Sequence, residues 1–487
     1  MTDIVSGVPL SQIYEGLVQC SPYNADSVAP ALASRWEISA DRRCYTFHLR
    51  RSARFADDPC FPGGRGRAVT ADDIRYSFER ALRVSRRHTL PSAVLEIQGA
   101  GEFQRGAARE IVGVQVPDDS TFVVCLTRPR VSFLACLTLN WAYVVPPEAD
   151  RFYGRDVDIH PVGAGPFRLA RWEPDQIIVL VRNDHYWERD ARGDSLPYLD
   201  RVVFVLSSPL QVPGLGGVHA HLTGNLFPDD SFTQRPGKPA FRTLRAERYS
   251  TIFFSWRMDR ASVWTRDRRL RQAIACAIRR IETEPTQLLA RCLLPPGFPG
   301  YDPSCAVQVY DPERARRLLA EAGHPGGRGL PTLRVSSLTD EGPLGSTIVQ
   351  ELEAIGIRAE LQELSKPEHW DNADAGRLEF FRSGWLADYP DPESFFEIFY
   401  GGSPLNLTHF ANARYDSLFE RLIAEPDRAR RLACCRELER VLLVEAPACY
   451  LRHDMNVMLV APEVRNFEYS MNPLWRKFYK HVWLAKD

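Results

Sequence analysis

Two aromatic rings on either side of a carboxylate, with two prolines close behind, make Trp385-Leu386-Ala387-Asp388-Tyr389-Pro390-Asp391-Pro392 well suited to hold a small cation. An ammonium group gains from the negative charge and from the ring faces, so Asp388 between Trp385 and Tyr389 is a candidate receptor for one. Pro390 and Pro392 fix φ and lack an N–H, which stiffens the turn and delays any helix until after Pro392. A plainer reading fits the same residues: a loop aspartate caps a helix beginning near Ser394, and both rings lie in the core. Spacing alone leaves both open. Acid–base chemistry would have to use Asp388 with Asp391, or His48, His160 or His409 as bases. No GxSxG, HExxH or cysteine–histidine frame supports such a hydrolase, and a lone histidine is commonly a surface or core residue.

The elements around this stretch are legible from periodicity. Residues 377–385 read as a strand whose C-terminal end would deliver Trp385 and Asp388 to the edge where open α/β sheets bind ligands. Before it, strand 333–337, helix 346–355 and strand 357–361 make a βαβ unit. Asp311-Pro312-Glu313 opens a helix with a capping acid and a first-turn proline. Leu270, Ile274, Ala277 and Ile278 form one face of another helix. After it come helices at 415–423 and 429–444, then strands near 449–452 and 457–460.

The first half is expected to be more β-rich. Residues 11–18 read as a short helix closed by Gly16. Residues 35–38 and 45–49 form a hairpin, and Thr70-Ala71-Asp72-Asp73 caps a helix with Ile74, Phe78 and Leu82 inward, Thr70 accepting from the backbone of Asp73. Strands follow at 111–116, 121–126, 177–182 and 201–206. The glycines of Gly163-Ala164-Gly165-Pro166 suit a pivot or a close approach to ligand, in no phosphate-loop frame. Residues 207–240 have little periodicity and read as a long loop.

At 487 residues two or three domains are expected, and 44% hydrophobic with 25% charged residues is ordinary for a globular protein. A net charge of −1 supplies no field that would recruit nucleic acid. The eleven cysteines include no CxxC pair, and most, Cys125 among them, read as small core residues. Neither a metal nor a cofactor is expected. The opening Met1-Thr2-Asp3-Ile4-Val5-Ser6-Gly7 has no basic or apolar signal region, so no export signal is expected in it.

Several stretches fall together. Ile13-Tyr14-Glu15-Gly16-Leu17, Ala29-Pro30-Ala31-Leu32-Ala33 with Trp36, Phe47-His48-Leu49-Arg50, and Val69-Thr70-Ala71-Asp72-Asp73 come first, followed by Gly163 to Phe167, Asn183 to Trp187 and Leu196 to Asp200. Arg271-Gln272-Ala273-Ile274-Ala275, Leu318 to Gly323, and Trp385 to Pro392 with Asn406 complete the series. In this order they resemble the extracellular solute-binding protein family 5, the dipeptide, oligopeptide and nickel-binding group of ABC importers. The resemblance implies an α/β, two-lobed periplasmic-binding-protein-like fold (type II, cluster C) with a small inserted third domain. Lobe I would be residues 1–31, 163–248 and 461–487, the inserted domain 32–162, and lobe II 249–460.

It also implies that Asp388 holds the amino terminus of a peptide in the gap between lobes, which reverses the capping reading. Trp385 and Tyr389 would line the same cavity, with Asn406, His409 and Phe410 from the following loop. The expected partners are a peptide or similar amine-bearing solute and the membrane permease subunits, with no catalysis, no nucleic acid and a monomeric chain. The implied location is periplasmic, a cytoplasmic one being the alternative. Departures are the short stretch before Tyr14, Ala277-Ile278-Arg279-Arg280 where an acid is frequent, the 207–237 segment, and the region after Ile281. Dipeptide binders also place an arginine for the ligand carboxylate in a region that, as residues 335–356 here, contains none. An intracellular ligand sensor of the same fold and a degenerate, non-transporting relative are the rival readings.

Overall fold

The computed structural model describes residues 4–21, 27–84, 90–206, 220–223, 241–280, 287–304, 308–470 and 479–485. The chain forms two compact units, one of residues 1–246 with 456–487 and one of residues 247–455.

In the first unit, the strands Ala33–Ile38, Cys44–Leu49, Thr121–Cys125 and Val114–Asp118 lie side by side in one antiparallel sheet. Alternation decides its faces: Tyr45, Phe47 and Leu49 point inward, as do Phe122 and Val124. The Ala71–Val84 helix lays Ile74, Phe78 and Leu82 on that face, with the Phe78 ring 5.2 Å edge-on to Phe122. Its N-terminus differs from expectation. The Asp73 carboxylate accepts from the Thr70 N–H at 2.8 Å and from its hydroxyl at 3.1 Å, and is gripped by the Arg67 guanidinium through two 2.7 Å bonds. A longer acidic side chain turned back on the cap thus replaces the threonine acceptor.

Cys125 is not a core cysteine. Cys44 and Cys125 are directly opposite across the Cys44–Leu49 and Thr121–Cys125 strands, on the less buried face, and form a disulfide. The motif around Tyr14 is not a helix either. The helix is Ile4–Ile13, and Glu15 and Gly16 follow in a buried loop whose carbonyls accept from Val144 and Leu32. Gly163 and Gly165 are explained by that loop. A Cβ on Gly163 would stand 2.1 Å from the Ile13 carbonyl oxygen, and one on Gly165 2.6 Å from it. The close approach is to the chain itself. Next to it the strands Phe167–Glu173, Ile177–Arg182 and Arg201–Val205 form an antiparallel sheet packed on Ile13 through Phe167 and Leu180. Within 207–240, residues Ala220–Thr223 are a strand, antiparallel to residues 457–460, and the remainder lies outside the described residues.

The second unit is α/β. Leu333–Leu338 and Ala359–Leu364 are parallel and joined through the Leu344–Glu353 helix. Phe380–Leu386 runs parallel to Leu333–Leu338 on one side and antiparallel to Arg242–Trp256 on the other. Being central, it is buried over Phe380 and Phe381, and the Phe380 ring packs tilted against Trp256 at 4.4 Å in a core that includes Trp264, Ile274, Leu319 and Ile348. Asp311 caps Pro312–Glu321 by accepting from the Arg314 N–H at 2.8 Å. The two strands expected near the end of this unit are one, Ala448–Val460.

Candidate functional site

The Phe380–Leu386 strand ends on one more ladder bond, from the Ala387 N–H to the Tyr249 carbonyl at 2.8 Å. The chain then turns sharply. Ser394 holds the turn from inside: its hydroxyl oxygen accepts from the Asp388 N–H at 3.0 Å and lies 3.4 Å from the Trp385 indole N–H. With its backbone fixed there, the Asp388 side chain is exposed and Trp385 is half-buried. An exposed aspartate on a backbone held in this way, three residues from a half-buried indole, is a candidate receptor for an ammonium group.

The second acid of the turn has another task. Asp391 accepts from the Glu393 N–H at 3.0 Å, opening the short Glu393–Phe396 helix, and takes two bonds, 2.5 and 2.6 Å, from the Arg431 guanidinium. The capping aspartate is therefore Asp391 and not Asp388. Asp391 is thus paired with Arg431, which is 9% exposed. Among the other candidate bases, His48 lies 3.2 Å from Glu37 and the His160 ring stacks on Tyr153.

Tyr389, expected to line the cavity with Trp385, is 1% exposed and donates its hydroxyl to Glu393 at 2.8 Å. Four residues from Trp385 and past the end of the strand, it faces inward, and its structural role is to anchor the loop. Asn406, His409 and Phe410 come together in a loop of their own. The Asn406 amide donates to the carbonyls of Phe410 at 2.9 Å and Tyr400 at 3.2 Å and accepts from the Thr408 hydroxyl at 2.6 Å. Phe410 packs between Phe399 and Tyr415. His409 alone of the three is exposed, with Nδ1 3.8 Å from Asp259.

Sequence reasoning missed a charged network brought together from four segments. Arg382 binds both oxygens of Glu341 at 2.8 and 2.9 Å, Arg452 lies 3.2 Å from Asp454 and 3.7 Å from Glu341, and Arg248 lies 3.9 Å from Asp454. Burial lowers the pKa of Arg248, Asp454 opposes that, and the charges of Arg382 and Arg452 add to the lowering. Three guanidiniums and two carboxylates thus meet here. The ladder pairs Ser250 with Leu386 and carries one further bond from Ala387 to Tyr249, so Arg248 lies just beyond the paired residues of its strand. No local signal could have shown this, since each arginine is unremarkable within its own strand.

The mixed sheet with the candidate site at a strand's C-terminal end is of the periplasmic-binding-protein type, and the comparisons agree. A solved periplasmic oligopeptide-binding protein from Borrelia burgdorferi superimposes with a TM-score of 0.79 at 24% identity, covering 100% of this chain and 96% of that one. The model of the bacterial extracellular solute-binding proteins, family 5 (Middle) matches residues 27–406, and the chain belongs to that family. It is similar to the dipeptide-binding protein of Escherichia coli (strain K12), 26% identical over 98% of this chain and 89% of the relative. It is likewise 26% identical to heme-binding protein A of Haemophilus influenzae, over 94% of this chain and 85% of the relative. Its role is that of a solute-binding protein. Among the described residues, no helix is long and apolar enough to cross a membrane.

Proposed function

We propose that this protein captures a short peptide, or a similar solute with a free amine, and presents it to the membrane permease of an ABC importer. The observation that carries the reading is the exposed Asp388, whose backbone N–H bonds to the same Ser394 hydroxyl that the Trp385 indole N–H approaches. In this reading the ligand's ammonium docks on Asp388 and its adjoining apolar group lies on Trp385. Tyr389, Asn406 and Phe410 support the loops, and His409 is the remaining exposed side chain available to the ligand. The ligand leaves unchanged, since binding here needs no nucleophile. The dipeptide-binding relative supports the peptide assignment.

An extracytoplasmic location fits the Cys44–Cys125 disulfide, because such bonds persist in oxidising compartments and are rare in the cytosol. That observation weighs against the intracellular sensor. Calorimetric titration with di- and tripeptides tests the assignment. Peptides with a free N-terminus should bind and their N-acetylated forms should not. Equal affinity for both would remove the ammonium from the account.

A further inference from the structure

The first unit holds a buried knot of charge that solute capture does not use. Glu15, 6% exposed, stands in the loop after the Ile4–Ile13 helix. Tyr186 and Glu188 follow the Ile177–Arg182 strand, and Lys480, 4% exposed, lies in the Tyr479–His481 turn near the C-terminus. The Trp187 indole N–H donates to Glu15 Oε2 at 2.7 Å. The Tyr186 hydroxyl lies 2.9 Å from Glu15 Oε1 and 2.8 Å from Glu188 Oε2. The Lys480 ammonium meets Gln19 Oε1 at 2.9 Å, the Tyr186 oxygen at 3.1 Å, and Glu188 Oε2.

These are six contacts, and the donors own five hydrogens: three on the ammonium, one on the phenol, one on the indole. A phenol cannot donate to two carboxylates at once. It can donate to one and accept from the other, provided that other carries a proton. Charge leads to the same place, since two carboxylates against one ammonium would leave an uncompensated negative charge in the interior. We infer that Glu15 and Glu188 share one proton through the Tyr186 oxygen, so that the knot is a proton-binding site tying the N-terminal loop, the 186–188 turn and the C-terminal segment together.

The surroundings agree with one extra proton. Burial pushes Glu15 up to about 7, against the pull of Lys480 and of the Trp187 bond, and Glu188 adds to the rise. Burial also raises Glu188, but the charge and hydrogen bond of Lys480 outweigh it and hold Glu188 below its ordinary value, so the proton sits chiefly on Glu15. His481 is pushed down to about 4 by burial and by Lys480 and is neutral beside it; Asp190 and Glu188 act on His481 in the opposite direction. Arg50 lies over the Trp187 ring at 4.0 Å and donates to the Ala31 carbonyl. Tyr14, Tyr143, Gln12, Cys20 and Thr138 complete the wall. Because the folded pKa of Glu15 lies above its unfolded 4.5, the stabilisation is full below that value and is lost as pH rises through about 7. The tie is firm in acid and looser towards neutrality.

Infrared spectroscopy tests this in a chain carrying Glu439→Gln, since Glu439 is a second buried carboxyl raised to about 7. The result expected is a protonated-carboxyl band that titrates away near neutral pH and is abolished by Glu15→Gln, whose amide reproduces the protonated form. The melting temperature of Glu15→Gln should gain on its parent as pH rises from 4.5 to 7 and run parallel above that. Should Glu15→Gln fail to fold, loss of the band in Glu188→Gln serves instead. Absence of a titrating band in the Glu439→Gln parent, or a band untouched by either substitution, overturns the inference.

Discussion

Arg431→Met offers a sharp test of how the turn that presents Asp388 is held. The Arg431 side chain is 11% exposed and the Asp391 side chain 14%, with two bonds of 2.5 and 2.6 Å between them and a third from Arg431 to the Leu422 carbonyl at 2.6 Å. Removing one partner of a buried pair leaves the other charge without compensation, a loss of ~3–5 kcal/mol. In a unit of this size each kcal/mol shifts the melting temperature by about 2–4 °C, so a fall of roughly 6–20 °C is expected. Asp391→Asn alone should cost a comparable amount, and the double variant much less than the two together, because it leaves no unpaired charge. Urea unfolding of the four proteins gives the coupling energy. The single variants should also weaken ligand binding, because Asp391 fixes the start of the helix whose Ser394 clamps Asp388. Losses under about 1 kcal/mol, or strictly additive ones, would refute a buried pair and leave the turn supported by its prolines and Ser394.

Further expectations concern other elements. Alkylation of the unfolded chain before reduction should leave Cys44 and Cys125 unmodified, and Cys→Ser at both should cost ~2–4 kcal/mol across their separation of 81 residues; alkylation of these two before reduction would exclude the bond. Gly163→Ala should destabilise the first unit by several kcal/mol, ~2–4, because its Cβ would stand 2.1 Å from the Ile13 carbonyl oxygen; a melting curve like that of the parent would contradict the close approach. Glu439, raised to about 7 by burial although it accepts from Leu293 and Leu294, should contribute stability that is full below 4.5 and lost as pH rises through 7. That slope should disappear in Glu439→Gln.

Where structure follows from neighbours in sequence, periodicity revealed it. The βαβ unit, the Ala71–Val84 helix and the Cys44–Leu49 strand have apolar residues at the spacing their cores require. The 385–392 segment disclosed its turn through its prolines and its exposed acid through its charge. What stayed hidden depends on contacts across long separations. Cys125 reads as one more apolar residue of its strand until Cys44 is set opposite it, and nothing near Asp391 announces Arg431, forty residues on. Residues 11–18 read as a helix, yet the backbone of Glu15 and Gly16 is claimed by Val144 and Leu32. Trp385 and Tyr389 look equivalent around Asp388 until Glu393 takes the phenol inward.

The account rests on Asp388 as the acceptor of the solute's positive end, and the most direct measurement is the affinity of Asp388→Asn for an N-terminally free peptide that the parent binds. Asparagine preserves the shape and the Ser394 bond while removing the charge, so affinity should fall by ~2–5 kcal/mol, about thirtyfold or more, with the melting temperature of the unliganded protein unchanged. Equal affinity in the variant and the parent would contradict the claim.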